Sequence, residues 1–137
     1  MRFEDITLGV SATLSRTVTE TDVVLFAGIT GDMNPAHTDQ TWAERSRFGG
    51  RIAHGMLTAG FVSAVLGMHL PGPGTIYLQQ TLRFTLPVRI GDTVTARAEV
   101  VELVPERRRV RLHTVVVNQR GELVLDGEAL VMVPENV

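Results

Sequence analysis

Four histidines and the carboxylates near them hold the acid–base chemistry open to this 137-residue chain, because the sequence has no cysteine. The missing thiols exclude disulfides, thiolate metal sites and a cysteine nucleophile together. Asp32, Asn34 and His37 share one Gly/Pro-containing segment, FAGITGDMNPAH. An imidazole titrating near about 6.5 can give or take a proton at neutral pH. A neighbouring carboxylate can orient it or act as the partner base. Asn34 adds a neutral donor and acceptor, suited to holding a water or fixing the loop. Spacing alone supports equally an Asp that caps a turn beside a surface His.

The second cluster is His54-Gly55, directly before the most apolar stretch of the chain. The first N–H groups of a helix have no internal partner and carry partial positive charge. A carbonyl placed there would be polarised, and a developing oxyanion stabilised. Gly55 suits that role because a residue without Cβ lets a ligand approach the backbone. It could equally permit a tight turn, with His54 packing or capping. Ser63 is either a contact for a bound substrate or a small residue at a close packing point. His69, beside the helix-ending Pro71, complements a helix C-terminus, and His113 falls on an alternating strand as a solvated or cross-strand residue. The run Glu106-Arg107-Arg108-Arg109, with Arg111, reads as a solvated hairpin; there, at Arg83 and at Arg89 a phosphate contact is the alternative. No P-loop, GxGxxG, GxSxG or HExxH motif is present.

These residues must be positioned by an α+β arrangement. Val10 to Thr19 reads as a first strand, and Thr19 with Asp22 as a capping box opening a helix over Asp22 to Gly28. Pro35 pushes Asn34 from the helical region, which predicts an irregular connection there. A short helix is expected over Thr38 to Arg45. In GMLTAGFVSAVLGMHL, large residues alternate with Ala59, Gly60, Ser63, Ala64 and Gly67, which predicts a buried helix that other backbone approaches closely. Pro71-Gly72-Pro73-Gly74 stops it. Beyond Thr75 the period becomes two, with strands expected at Ile76–Leu86, Thr93–Val104, Arg109–Asn118 and Glu122–Val133. Pro105-Glu106 and Gln119-Arg120-Gly121 supply hairpin turns. One buried helix with a meander and an earlier strand predicts a sheet wrapped around a helix.

With 44% apolar and 20% charged residues, the chain is long enough for one domain, residues 1–137, with its own core. A net charge of -2 gives no general attraction for nucleic acid or an anionic membrane. The N-terminus lacks the pattern of a secretory signal, and Met56 to Leu70 is too short for a membrane span. A cytoplasmic enzyme or binding module is the expectation.

At FAGITGDMNPAHTDQTWA the sequence resembles the hydratase-2 signature of the MaoC-like hydratase/dehydratase family. Phe26, Thr30, Gly31, Asp32, Met33, Asn34, Pro35, Ala36 and His37 carry that likeness. It continues through IAHGML, LPGPGTIYLQQTLRFTLPV and GDTV, and is strongest to the short R-specific enoyl-CoA hydratases that supply monomers for polyhydroxyalkanoate synthesis. Ala36 departs from it, standing where a larger aliphatic residue is usual. The resemblance implies a hotdog fold, a homodimer, and an acyl-CoA thioester near the subunit interface. It also implies that Asp32 and His37 activate water with Asn34 in support, while the Gly55 N–H binds the thioester carbonyl. No metal and no cofactor beyond the substrate's own CoA is implied. His54, Ser63, Val65, Leu66 and Leu130 are the residues expected along the substrate. Syn addition of water to a trans-2-enoyl-CoA would give the (R)-3-hydroxyacyl-CoA. A (3R)-hydroxyacyl-ACP dehydratase, a hotdog thioesterase and a non-catalytic acyl-CoA sensor are the alternatives.

Overall fold

Alternation of apolar and polar residues gives this chain strands with one buried side, and its small-residue apolar helix fills that side. The computed structural model describes residues 1–135. In chain order the strands are β1 (Ser11–Thr17), β2 (Ile76–Phe84), β3 (Thr93–Val104), β4 (Arg109–Val117) and β5 (Leu123–Met132). They form one antiparallel sheet in the order β1-β3-β4-β5-β2, so β1 and β2 are its edges. The helices are α1 (Glu20–Thr30), α2 (Pro35–Thr38), α3 (Gln40–Arg45) and α4 (Gly55–Met68).

The sheet wraps α4, which packs on β1, β3 and β4. Val94, Ala96, Ala98 and Val100 of β3 are buried, as are Val110, Leu112 and Val116 of β4. The alanines leave room for Phe61, Val62, Val65 and Leu66 of α4 to fill the concave side. Thr114, a polar residue at this level, is satisfied because its hydroxyl accepts from Gln80 Nε2 at 3.0 Å.

Four local expectations change. The first strand stops at Thr17, because Thr19 is spent as the N-cap of α1: its hydroxyl accepts the Asp22 N–H at 3.1 Å, and Asp22 Oδ2 accepts the Thr19 N–H at 2.9 Å. The irregular connection expected around Pro35 is present over residues 31–34 but ends at Pro35 itself. Asn34 is indeed outside the helical region, but Pro35 opens α2 at the position where its fixed φ and missing N–H cost nothing. The helix expected from Thr38 is broken at extended Asp39, whose carboxylate caps α3 by accepting the Trp42 N–H at 3.0 Å. Finally, α4 is not covered all round: Met56, Gly60 and Ser63 remain exposed within the single chain. Beside them β2 is exposed along most of its length.

Candidate active site

The segment from α1 to α3 carries the candidate acid–base residues, and its course is fixed by local polar contacts. Gly31 ends α1 in the left-handed region at φ 81°, which a residue without Cβ adopts freely. The chain then turns through Asp32. Its Oδ1 accepts the Asn34 N–H at 3.2 Å, and Asn34 Oδ1 in turn accepts the Ala36 N–H at 3.0 Å. Asn34 therefore acts as the N-cap of α2 and sets the loop that presents His37. Arg51 ties the ends of this segment together. It donates to Glu20 Oε1 at 2.9 Å, to Gln40 Oε1 at 3.1 Å and to the His37 carbonyl at 3.4 Å. The hydrogen bond from Arg51 holds the Glu20 carboxyl below the usual carboxylate range. Nothing in the sequence pattern marks Arg51 for this clamp, because its partners lie on three separate helices.

His37 is 8% exposed and His54 is 2% exposed. His37 Nδ1 lies 2.7 Å from the Ile52 carbonyl oxygen, and His54 Nε2 lies 3.0 Å from the Asp32 carbonyl oxygen. A carbonyl only accepts, so each of these nitrogens carries the proton. In the neutral ring this leaves His37 Nε2 as the proton acceptor. The two rings stack, with centroids 3.9 Å apart and planes 27° from parallel. One ligand-type atom from each of Asp32, His37 and His54 lies within 4.8 Å of the other two. Two of the four imidazole nitrogens are already committed to backbone carbonyls, an arrangement that orients the group for proton transfer.

Gly55 opens α4 beside this pair. Among the described residues nothing accepts its N–H. The reason for a glycine here is packing as well as ligand access: a Cβ at Gly55 would lie 2.7 Å from Phe84 Cε1. The Phe84 ring comes from β2, so the helix start and the sheet edge meet across the cavity. That cavity, about 450 Å³, is lined by Asp32, His37, His54 and Gly55 with apolar walls from Phe48, Phe84, Leu86 and Val88. One polar end with apolar walls is what a thioester with an acyl chain requires.

The fold thus brings Asp32, His37, His54 and Gly55 together and leaves the Asn34 side chain on backbone. The other residues expected along the substrate lie elsewhere. Ser63 faces a second groove between α4 and β2, with Tyr77 and Leu82. Val65 and Leu66 are packed in the core against the sheet, and the half-buried Leu130 stands on β5 opposite Gln79 and Arg111. None of these three lines the cavity, because the turn of α4 that carries Val65 and Leu66 faces β3 and β4. Thr58, from the first turn of α4, does line it. Arg83 lies by an outer-face groove with His113, whose Nε2 is 2.8 Å from Asp126 Oδ1 across the strands. The Arg89 guanidinium lies near Gly50, and the bridge from Arg89 to Ile52 puts it close to the cavity rim.

Comparison with known proteins fits this geometry. The MaoC like domain matches residues 5–122. The chain is 55% identical over 132 residues to the (R)-specific enoyl-CoA hydratase of Rhodospirillum rubrum, covering 96% of this chain and 91% of that one. It is also 55% identical over 133 residues to the 3-hydroxybutyryl-CoA dehydratase of Methylorubrum extorquens, covering 97% and 84%. Among solved structures, the R-hydratase PhaJ1 of Pseudomonas aeruginosa superposes with a TM-score of 0.93 at 47% identity, covering 98% of this chain and 86% of that chain. The (R)-hydratase of Aeromonas caviae, described as involved in PHA biosynthesis, also gives 0.93, at 41% identity with 96% and 99% covered. The wrapped sheet is the hotdog fold of these hydratases. On a domain match spanning most of its length and relatives that share more than half its residues, the chain belongs to the MaoC-like family.

Proposed function

We propose that the chain is an (R)-specific enoyl-CoA hydratase, a hydro-lyase that reversibly adds water to a trans-2-enoyl-CoA to give the (R)-3-hydroxyacyl-CoA. The observation that carries this reading is the His37 ring, held through Nδ1 by the Ile52 carbonyl and with a ring nitrogen within 4.8 Å of the Asp32 carboxylate, in one cavity with the free N–H of Gly55. The alkene is electrophilic at C3 only through conjugation with the thioester carbonyl. The Gly55 N–H, at the positive end of α4, stabilises the charge that reaches that oxygen. Asp32 orients the water, and His37 Nε2 takes its proton as the C3–O bond forms and the π electrons pass to the enolate. The imidazolium then returns a proton to C2, the enolate collapses, and both enzyme groups end as they began. One nitrogen that takes and returns the proton works from a single face, which accounts for syn addition.

Crotonyl-CoA with the purified protein tests this directly. The enoyl absorbance should fall and (R)-3-hydroxybutyryl-CoA should form, without release of free thiol. Thiol release with the enoyl group intact would make the chain a thioesterase, and binding without turnover would make it a sensor. Competition between CoA- and ACP-linked enoyl groups should favour CoA. The reading needs no metal and no organic cofactor, so protein dialysed against EDTA should keep its full rate. A rate lost to EDTA and restored by a divalent cation would make Asp32, His37 and His54 a metal site.

The same reading places the chain in a homodimer. Ile76, Tyr77 and Leu78 are exposed on edge strand β2, next to exposed Met56 on α4. An unpaired apolar edge of this length invites pairing with another chain, and a second copy pairing β2 with β2 would cover both surfaces. Sedimentation should give twice the 15.0 kDa chain mass. Leu78→Asp should give a monomer; a monomeric wild type would overturn this assembly. As acyl-CoA thioesters are intracellular metabolites, the reading also places the enzyme in the cytoplasm. Among the described residues, no helix is long and apolar enough to cross a membrane.

A further inference from the structure

His54 joins α1, the turn at Asp32, α2 and the start of α4. It is the N-cap residue of α4, yet its side chain makes no cap hydrogen bond to that helix. Its ring lies instead between two others: Phe26 of α1, with centroids 4.7 Å apart, and His37 of α2, at 3.9 Å. Its Nε2–H donates to the Asp32 carbonyl at 3.0 Å, in the turn that aims the Asp32 carboxylate. Its Nδ1 is buried and, among the described residues, has no hydrogen-bond partner. Burying an acceptor without a partner is costly, so packing alone favours an apolar ring at this position.

We infer that His54 is a positioning residue for the acid–base pair, held as the neutral Nε2–H tautomer, which pins the Asp32 backbone and fixes the His37 ring by stacking. The inference rests on the hydratase reading for its kinetic consequence, but its structural content does not. With a proton on Nε2 and none on Nδ1, His54 donates to Asp32 and presents an uncharged face to His37. Were the ring to flip, Nε2 would leave the Asp32 carbonyl and the turn at Gly31-Asp32 would lose its only tie to α4 among the described hydrogen bonds. Small errors in the placement of reacting groups are expensive, a displacement of about 1 Å costing about 10²-fold in rate.

Two measurements test this. Long-range 1H–15N spectra of the wild-type imidazoles should show His54 as the Nε2–H tautomer and His37 as the Nδ1–H tautomer. Either residue in the opposite tautomer, or His54 as an imidazolium at neutral pH, overturns the proposal. That readout needs no turnover, so it separates failure of this inference from failure of the hydratase assignment, which the crotonyl-CoA assay decides. The kinetic test compares His54→Gln with His54→Asn. A Gln amide nitrogen reaches the place of the imidazole Nε2, whereas the Asn amide stands at the place of Nδ1. His54→Asn should lower kcat by about 10²-fold with KM changed less than about threefold, and His54→Gln should recover at least about tenfold of that loss. In the spectrum of His54→Asn, the His37 signals should move toward a mixture of tautomers. Equal kcat for the two variants, or unchanged His37 signals, would leave His54 as packing only.

Discussion

Substitution of Asp32 by Asn is expected to lower kcat for crotonyl-CoA hydration by about 10³-fold, with KM changed by less than about threefold. Asn keeps the size of the side chain, and its amide oxygen can still accept the Asn34 N–H that forms the turn. What disappears is the negative charge beside His37, and with it the group that orients the water and stabilises the imidazolium. His37→Gln should fall by a similar factor for the complementary reason: in the proposed mechanism Nε2 carries the proton, and a Gln amide takes no proton. The double variant should be little slower than the worse single one, because the two groups act as a unit and their losses are not additive. Steady-state kinetics with circular dichroism on the same samples checks all three. Either single variant retaining more than about a tenth of the wild-type rate would remove that residue from the chemistry.

The second large effect is on stability. Gly127 of β5 faces Leu82 of β2, and a Cβ built there would lie 1.9 Å from the Thr81 carbonyl oxygen. That obstacle is backbone and cannot swing aside as a side chain can. Gly127→Ala is therefore expected to cost about 3 kcal/mol and to lower Tm by about 10 °C. The damage should extend to function, because β2 carries Phe84 to the cavity wall beside Gly55. The hydrogen bonds that seat β2 also stand at this level: Glu128 N–H to Thr81 Oγ1 at 2.9 Å and Gln80 Nε2 to Thr114 Oγ1 at 3.0 Å. Thermal melts of the two proteins decide it. A Tm within about 2 °C of wild type would mean that β2 can move away from β5 without loss.

The two predictions draw on information of different kinds. That Asp32 and His37 are the candidate acid–base pair was legible in the segment from Phe26 to His37. Their residue types, the Gly and Pro between them and the resemblance of the flanking segments all converge there. The strands from Thr93 onward were legible too, since period-two alternation is a property of the chain itself, and the Pro/Gly cluster after Leu70 marked the end of α4. Gly127 was not marked. A glycine inside an alternating strand says only that something comes close, and the something is a carbonyl on a strand joined much earlier in the chain.

The sequence by itself determined the strands, the buried helix and which residues can exchange protons, because caps, turns and alternation are local and chemistry resides in side-chain type. Only the tertiary structure decided what those residues touch. The apolar pattern of α4 told that the helix is wrapped, but its rotation against β3 and β4 sent Val65 and Leu66 into the core and Thr58 to the cavity. The pair Gly55 and Phe84, the Arg51 clamp and the stack of His54 on His37 each join segments far apart in the chain. No spacing rule reports such contacts, because they are fixed when helix and sheet dock. The contact that orients the His37 ring is set the same way, by an Ile52 carbonyl that arrives only with the fold.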